Sequence, residues 1–287
     1  MPELPEVEIV KQSLKKKVKN KIIQKVVVKN RNLRFKIHSK FEKHLYKKRI
    51  TKVERFSKYL IIIFEDKSGF ILHLGMSGTV HLYHKNRKNI LTNTSFYHSL
   101  LLPDKHNHVE IHFKKIIFIY NDPRRFGYFS TFNNQIELKK KFNHFGPEPF
   151  SKSFNVDYII RYLKNKEKNI KSFLLDQKFV SGIGNIYANE ILFFCKINPL
   201  QKAISLTKID IKKIKYFSKL ILNRAIKKGG SSIKNFKNVE GKNGSYQNQF
   251  KVYQRENLKC LNKGCSGKIK KKFISKRSTF FCNNCQK

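Results

Sequence analysis

The sequence predicts an α+β protein of two domains, and three observations support this fold class. Short runs rich in β-branched and aromatic residues fill the first 130 residues, whereas segments of helical periodicity follow residue 150. Glycine and two prolines at 146–149 interrupt any continuous helix between these regions. Four of the five cysteines lie in the last 28 residues, which indicates a small separate module at the carboxyl end.

The first region is predicted to be a β-sandwich that carries a helix at its amino terminus. The helix is expected over residues 6–18. Strand composition or two-residue alternation occurs in six short segments: 21–29, 59–64, 70–74, 79–83, 109–113 and 116–120. Residues 133–150 follow as a predicted linker.

The second region is predicted to be helical as far as a long loop. Helical patterns occupy four segments: 156–164, 170–175, 186–195 and 209–225. The last pattern stops before Gly229 and Gly230, because glycine at such a position commonly ends a helix. Residues 231–248 are rich in serine, asparagine, glycine and lysine, which predicts a mobile loop.

The charge of the chain points to a polyanionic partner. It contains 62 lysines and arginines against 19 acidic residues, a formal net charge of +43, and such a field attracts nucleic acid. An AT-rich genome would also enrich lysine, so part of this charge has an alternative explanation.

Apolar runs all stay shorter than the ~20 residues that span a bilayer, and the amino terminus has no secretory apolar core. We therefore expect a soluble protein of the cytoplasm.

The carboxyl-terminal cysteines form two close pairs, Cys260 with Cys265 and Cys282 with Cys285. Two pairs with 16 residues between them suit one Zn²⁺ ion in a tetrahedral site of four thiolates. Two disulfides are the alternative, although cytoplasmic proteins rarely keep them. Cys195 stands apart in an apolar segment and is predicted to be a core residue.

The segment between the cysteine pairs is predicted to form a β-hairpin over residues 268–277. Its predicted tip carries Lys276, Arg277 and Ser278. The sequence therefore predicts a metal-bound hairpin with a cationic tip.

The first residues, Met1-Pro2-Glu3, are suited to covalent chemistry. Removal of Met1 would leave Pro2 with a terminal secondary amine, and such an amine converts a sugar aldehyde carbon into an iminium ion. This cation withdraws electrons and promotes elimination at the neighbouring carbons. The carboxyl group of Glu3 could donate or accept a proton beside it. The alternative is a proline-rich turn before a helix, without any chemical role.

A glycine turn, Ser-Gly-Ile-Gly-Asn at 181–185, lies between two predicted helices. Its backbone could approach a phosphate closely, the following helix would offer free N–H groups, and Asn185 would add a side-chain donor. A simple linker between two helices is the alternative.

Three further positions could contact a nucleic acid. Residues 121–127 place Arg124 and Phe126 on a turn after a strand, where arginine could bind bases or phosphates and phenylalanine could insert between bases. Met76 lies between two glycines as a candidate apolar finger. Core packing is the alternative for Phe126 and Met76. For Lys58, at the start of a strand, the residues alone favour a solvated lysine.

Taken together, these segments resemble one family closely, the bacterial formamidopyrimidine-DNA glycosylases, which are base-excision enzymes for oxidised purines. The match extends in order over nearly the whole chain. Its segments are 2–8, 58–60, 73–78, 122–127, 146–149, 174–177, 182–187, 229–230 and 277–282. The first and the last of these are highly specific.

The resemblance implies a bifunctional DNA glycosylase and AP lyase that excises 8-oxoguanine and formamidopyrimidines from duplex DNA. Pro2 would attack C1′ of the damaged nucleotide, Glu3 would transfer protons, and Glu6 would support the site. The iminium ion at Pro2 would then cut the strand by β- and δ-elimination.

The resemblance also implies which residues bind DNA. Lys58 would contact the phosphate beside the lesion, which replaces the interpretation of a solvated lysine. Three residues would fill the space left by the flipped nucleotide, with the arginine facing the unpaired cytosine: Met76, Arg124 and Phe126. Two residues would bind phosphates around the lesion: Asn185 and Arg277.

Four domain ranges follow from the resemblance. Residues 1–132 would form the catalytic β-sandwich, 133–150 an interdomain hinge, 151–250 a helix–two-turn–helix domain with a lesion-capping loop, and 251–287 the zinc finger. One structural Zn²⁺, bound by the four cysteines, is the expected cofactor. A monomer is expected to act on double-stranded DNA with oxidised bases or abasic sites.

Two departures and two rival functions qualify this interpretation. The first cysteine pair is spaced by four residues where two are commoner in the family, and 253–257 differs from the family's usual Tyr-Gly-Arg.

An endonuclease VIII-type enzyme for oxidised pyrimidines is one rival, and Leu4 with the Met76, Arg124 and Phe126 set favours the purine enzyme. A non-enzymatic zinc-containing DNA-binding protein is the other, although binding alone has no use for a terminal secondary amine.

Overall fold

The structure is a computed structural model that describes residues 2–85, 103–231 and 244–287. The chain divides into two units, the first with residues 1–143 and 226–247 and the second with 144–225 and 248–287. The α+β class is confirmed, with an amino-terminal β-sandwich, a helical region and a hairpin that carries cysteines. The four domain ranges derived from the resemblance remain predictions. No described helix is long and apolar enough to cross a membrane.

The first unit contains two antiparallel four-stranded sheets that share a hydrophobic core. One sheet has the order β1-β6-β7-β5, with β1 (Lys25–Val28), β5 (Thr79–His84), β6 (Asn107–His112) and β7 (Ile116–Asn121). The other has the order β2-β3-β4-β8, with β2 (Ile50–Phe56), β3 (Tyr59–Phe64), β4 (Gly69–His73) and β8 (Tyr128–Phe132). Leu60 and Leu72 of the second sheet share this core with Leu82 and Ile111 of the first, as in a β-sandwich.

Helix α1 (Leu4–Val18) contributes one face to the same core. Val7, Val10 and Leu14 recur every three or four residues, and all three are buried there. The helix begins two residues before its predicted start, since Pro5 fits the first turn, where its missing N–H costs no hydrogen bond. A short second helix, α2 (Phe41–Leu45), follows β1.

Two strands and two α-helices of the first unit are absent from the prediction: β2, β8, α2 and α3 (Gln135–Phe142). Helix α3 corrects the prediction of a linker in this segment. The Asn134 side chain accepts a hydrogen bond from the Glu137 N–H at 2.9 Å, which caps the helix, and Leu138 is buried. The prediction of a linker followed the lysine run at 139–141. It gave too little weight to Asn134, the residue that caps the helix.

The second unit contains α4 (Val156–Leu163), α5 (Ile170–Leu175), α6 (Asn185–Cys195) and most of α7 (Lys208–Lys227). All four helices confirm the predicted segments to within two residues at each end. Asn155 and Asn169 cap α4 and α5 by accepting backbone hydrogen bonds. Of the predicted loop at 231–248, residues 232–243 lie outside the described residues, and a 3₁₀ turn begins at Tyr246.

The carboxyl-terminal hairpin consists of β9 (Ile269–Ile274) and β10 (Arg277–Cys282). Its two-residue turn is Ser275-Lys276, with positive φ angles of 49° and 58°, as a type I′ turn requires. The prediction was therefore right to place Lys276 at the tip but wrong about the hairpin's end and about Arg277 and Ser278. The second strand continues to Cys282, and Ser278 lies within it rather than at the turn.

Candidate active site

Pro2 and Glu3 lie directly at the start of α1. Pro2 is half-buried, and the Glu3 side chain is only 3% exposed. Glu6, the third residue of the helix, accepts a hydrogen bond from the Glu3 N–H through Oε2 at 3.0 Å. A carboxylate at this position stabilises a helix start because the unpaired N–H groups there carry partial positive charge. The backbone beside the candidate nucleophile is therefore held in place.

The second oxygen of Glu6 binds a distant segment of the same unit. Oε1 accepts hydrogen bonds from the Ser231 N–H at 2.8 Å and the Ser231 hydroxyl at 2.9 Å. Gly230 precedes this serine with a φ of +80°, and a Cβ there would lie 3.1 Å from Glu6 Oε1. Glu6 thus connects the backbone of Glu3 to the segment that leads into residues 232–243.

Lys58 is held near α1 through an arginine. Arg55 donates from Nε to Glu8 of α1 at 2.9 Å and from Nη1 to the Ser57 carbonyl at 3.0 Å. Burial alone raises the pKa of the Glu8 carboxyl, but hydrogen bonds from Lys11, Gln12 and Arg55 outweigh it and lower that pKa. Lys58 itself is 6% exposed, so the interpretation of a solvated lysine is wrong.

His73 adjoins Lys58 and marks the beginning of a loop at 74–78. Burial, and then the charges of Lys58 and Arg34, lower the pKa of His73 to about 4, so its imidazole is neutral at pH 7. The Nδ1 atom accepts the Gly75 N–H at 3.1 Å. A neutral ring is required for this bond, because a protonated imidazole has no acceptor nitrogen.

Asp122 joins the loop at 74–78 to the turn at 122–127. Its side chain is fully buried, and Oδ1 accepts hydrogen bonds from the Ser77 hydroxyl and, at 3.3 Å, from the Arg124 N–H. Its Oδ2 accepts from the Tyr120 hydroxyl and the Gly127 N–H, both at 2.9 Å. One carboxylate therefore fixes both segments, and we call them together the paired loops.

The paired loops present three side chains to solvent. Met76 is 37% and Phe126 is 41% exposed. Arg124 is exposed as well, and its guanidinium carbon lies 4.6 Å from the centroid of the Phe126 ring. Close backbone packing makes this possible, since a Cβ on Gly75 would lie only 2.4 Å from the Gly127 nitrogen. Core packing of Met76 and Phe126 is therefore the wrong interpretation.

We expect Asp122→Asn to destabilise the protein strongly. The new amide cannot accept the four hydrogen bonds that the carboxylate accepts, so at least one buried donor loses its partner. The expected loss in the free energy of unfolding is about 2–4 kcal/mol, measured by urea denaturation. The matched control is Asp66→Asn, an exposed carboxylate paired with Lys48, for which the loss should stay below about 1 kcal/mol. Equal losses in the two variants would contradict the role of Asp122.

In the second unit, Asn185 and Arg277 lie at one end of β10. The Nδ2 group of Asn185, the first residue of α6, donates to the Ser278 carbonyl at 3.0 Å. Lys171 is fully buried and donates to the same carbonyl at 3.1 Å and to the Thr279 hydroxyl at 2.6 Å. Arg277 is exposed immediately before this serine. Lys171 was not identified from the sequence, because nothing in it marks this lysine as buried.

The buried carboxylate of Glu190 fixes the entry to the cysteine module. It accepts backbone hydrogen bonds from Lys251 at 2.9 Å, Val252 at 3.0 Å and Tyr253 at 2.9 Å. Burial raises the pKa of Glu190, and these bonds oppose that shift. The cysteine module therefore begins at a segment held by Glu190, although residues 253–257 depart from the family's common pattern. The sequence alone did not identify Glu190 as a structural residue.

The four carboxyl-terminal cysteines form one cluster. Their Sγ atoms all lie within 4.8 Å of one another, and the Cys260–Cys285 and Cys265–Cys282 pairs are both separated by 3.7 Å. Four sulfurs around a tetrahedral metal at ~2.3 Å would stand ~3.7 Å apart, whereas a disulfide requires ~2.05 Å. The cluster can therefore hold a metal ion. The remaining thiol, Cys195, is buried as predicted.

Two models of known protein families match most of the chain. The family model of the formamidopyrimidine-DNA glycosylase N-terminal domain matches residues 1–129, and the model of the formamidopyrimidine-DNA glycosylase H2TH domain matches residues 145–237. The chain belongs to the formamidopyrimidine-DNA glycosylase family. The predicted family and enzyme class are thus confirmed, and α5 and α6 lie within its H2TH domain.

Relatives with this family's name match the whole chain. The formamidopyrimidine-DNA glycosylase of Legionella pneumophila subsp. pneumophila is 39% identical and is 98% covered, and that of a Wolbachia species is 40% identical and fully covered. A Lactococcus lactis mutant enzyme solved with Fapy-dG DNA has a TM-score of 0.88 at 31% identity. MutM solved with carbocyclic 8-oxo-G DNA has a TM-score of 0.87 at 32% identity. Both structures are covered completely, as is this chain.

Proposed function

We propose that this protein excises oxidised purines from duplex DNA with Pro2 as the nucleophile. The observation that carries the proposal is the position of Pro2 at the fixed start of α1, beside the buried carboxyl group of Glu3. The related structures with Fapy-dG DNA and carbocyclic 8-oxo-G DNA support the substrate class.

The first chemical step replaces the damaged base with the protein. After removal of Met1, the Pro2 nitrogen attacks C1′, a C–N bond forms, and the bond from C1′ to the base breaks. Glu3 donates a proton as the sugar ring opens, so that the C1′–O4′ bond breaks and O4′ becomes a hydroxyl group. The nitrogen lone pair then forms the iminium ion at C1′, and the proton that the Pro2 amine loses passes to the nitrogen of the departing nucleobase.

Strand cleavage follows from the same iminium ion. Its positive charge makes the C2′ proton acidic, and loss of that proton drives out the 3′ phosphate by β-elimination. A second elimination from C4′ drives out the 5′ phosphate. Water then hydrolyses the remaining iminium ion and regenerates the Pro2 amine, so no oxidant or reductant is consumed.

Moving the damaged nucleotide out of the duplex costs a few kcal/mol, because its stacking and base pairing are lost. Contacts with the protein must offset this free energy. We propose that Met76, Arg124 and Phe126 fill the vacated space, with Arg124 facing the unpaired cytosine. This role is supported by the exposure of the three side chains on the paired loops. Because these loops are rigid, little conformational entropy is lost when the side chains insert. In this proposal three residues bind backbone phosphates: Lys58, Asn185 and Arg277.

We infer that the cysteine cluster binds one structural Zn²⁺. Four thiolates occupy all positions of a tetrahedral site, which leaves none for a substrate or a reacting water. The bound ion would stabilise the hairpin that carries Arg277. We further propose a monomer, because one chain contains every residue used here. The bacterial origin of the related enzymes supports the cytoplasm as its location.

The substrate preference separates this proposal from an enzyme for oxidised pyrimidines. With 8-oxoguanine opposite cytosine and thymine glycol opposite adenine in otherwise identical duplexes, we expect single-turnover excision of the purine to be faster by about tenfold or more. The Met76, Arg124 and Phe126 set motivates this direction. A reversed preference would favour the endonuclease VIII-type function, and excision of neither base would favour a DNA-binding protein without catalysis.

A further inference from the structure

Residues 34–36 expose a cation–aromatic–cation sequence that the proposed function leaves unused. Phe35 is 58% exposed, and both Arg34 and Lys36 are exposed. The Arg34 guanidinium carbon lies 5.7 Å from the centroid of the Phe35 ring. Single exposed apolar side chains are common on proteins, so the surroundings of this segment decide whether it has a function.

The segment is anchored on both sides. Leu33 and Ile37 flank it and are buried in the core of the β-sandwich, at 9% and 1% exposure. Across its base, the Ile37 N–H donates to the Arg31 carbonyl at 2.9 Å, and Arg31 also pairs with Glu42 of α2. A segment held in this way loses little conformational entropy when it binds a partner.

The segment also adjoins the paired loops. The Arg34 N–H donates to the carbonyl of Gly127 at 3.2 Å, and Gly127 directly follows Phe126. The Phe35 ring packs edge-on against Tyr128, with centroids 5.3 Å apart. Residues 34–36 are therefore fixed to the turn that carries Arg124.

On the other side, the segment reaches the surroundings of Lys58. Tyr128 lies 6.1 Å from the ring of Tyr59, the residue after Lys58. The positive charge of Arg34 is close enough to contribute to the lowered pKa of His73, after burial and Lys58. Arg34 therefore shares a neighbourhood with Lys58, which is proposed to contact DNA.

We propose that residues 34–36 form a further DNA-contact site, an inference that rests on the proposed function. Arg34 and Lys36 bind backbone phosphates, and Phe35 packs against the adjoining deoxyribose. Phosphate contacts position a protein on the duplex, whatever its sequence. An apolar ring between two cations suits the alternation of sugars and phosphates along one strand.

The chain offers a matched control in Tyr46 and Lys47. Tyr46 is 51% exposed, and the Lys47 Nζ atom lies 5.4 Å from its ring centroid. The pair is attached elsewhere on the unit, since the Lys47 N–H donates to the Ile23 carbonyl. It has similar chemistry without the hydrogen bond to the paired loops.

Binding of the full-length protein to a duplex with a tetrahydrofuran abasic analogue tests the inference. For Arg34→Ala we expect the Kd to rise about fivefold to tenfold, and the slope of log Kd against log salt to fall by about one. For Phe35→Leu we expect the Kd to rise about fivefold with that slope unchanged, because no charge is lost. The Lys47→Ala and Tyr46→Leu variants should bind as the wild type does.

Excision under single-turnover conditions distinguishes contact from structural support. At saturating enzyme, both variants should excise 8-oxoguanine at the wild-type rate and keep the wild-type Tm. An unchanged Kd for both variants, with an unchanged salt slope for Arg34→Ala, would overturn the inference, as would a lowered Tm with slower excision at saturation. Borohydride trapping keeps the two proposals apart, since wild-type protein that forms no adduct refutes the proposed function, whereas failure of this inference leaves its adduct intact.

Discussion

Pro2→Gly is expected to lose excision of 8-oxoguanine by about a hundredfold or more while it still binds the lesion. Glycine leaves a primary amine on a more flexible terminus, so both the nucleophile and its orientation beside Glu3 are impaired. The loss should appear in the single-turnover rate, because general acid–base and nucleophilic effects act on the chemical step. The Kd for a duplex with an abasic analogue should change by less than about threefold.

Retained Met1 provides the matched control for this variant. In that form the Pro2 nitrogen is a tertiary amide without nucleophilic character, so the otherwise unchanged protein should also be inactive. Mass spectrometry of each preparation establishes which terminus is present. Wild-type turnover by Pro2→Gly, or full activity with Met1 retained, would contradict a covalent role for Pro2.

Loss of the proposed zinc ion is expected to unfold the carboxyl-terminal module. Cys282 is fully buried in a small core with Val252, Ile269 and Phe280, and a metal bound there would link this core to the other three cysteines. Structural zinc sites supply about 10–16 kcal/mol of apparent binding energy to folding. We expect Cys282→Ser to lose stoichiometric zinc, to become sensitive to proteolysis after α7, and to bind DNA at least about tenfold more weakly because Arg277 is no longer positioned.

Cys195→Ser is the control for the zinc prediction. Cys195 is buried in α6 outside the cluster, so its variant should retain one zinc per chain as measured by elemental analysis. A zinc-free wild-type protein with full DNA affinity would contradict a structural metal site. So would a Cys282→Ser variant that keeps one zinc ion and resists proteolysis.

Elements with strong periodicity could be predicted from the sequence. The run Tyr59–Phe64 was predicted with its correct bounds, because six consecutive apolar or aromatic residues favour a buried strand. Strand β2 was missed because Lys52 and Glu54 interrupt its apolar pattern and are exposed. Such a strand is specified by pairing with β3, which a local pattern does not show.

Some residues of the candidate site could likewise be identified from the sequence, and others could not. Residues proposed to react or to touch DNA were identified because their chemical types and motifs are unusual, as with Pro2 beside Glu3. The residues that position them were missed, since their roles depend on partners far away in the chain. Lys171 binds the Ser278 carbonyl across 107 residues, and Glu190 binds the Tyr253 N–H across 63. Each appears in the sequence as an ordinary charged residue of a helix.

Borohydride trapping on a duplex with one 8-oxoguanine opposite cytosine tests the central claim most directly. Reduction of the iminium ion would leave a stable covalent adduct, and peptide mapping should locate it at Pro2. That result would establish the nucleophile and the oxidised-purine substrate together. Absence of any adduct, with Met1 confirmed removed and an abasic-site duplex also untrapped, would contradict the mechanism and leave a protein that only binds DNA.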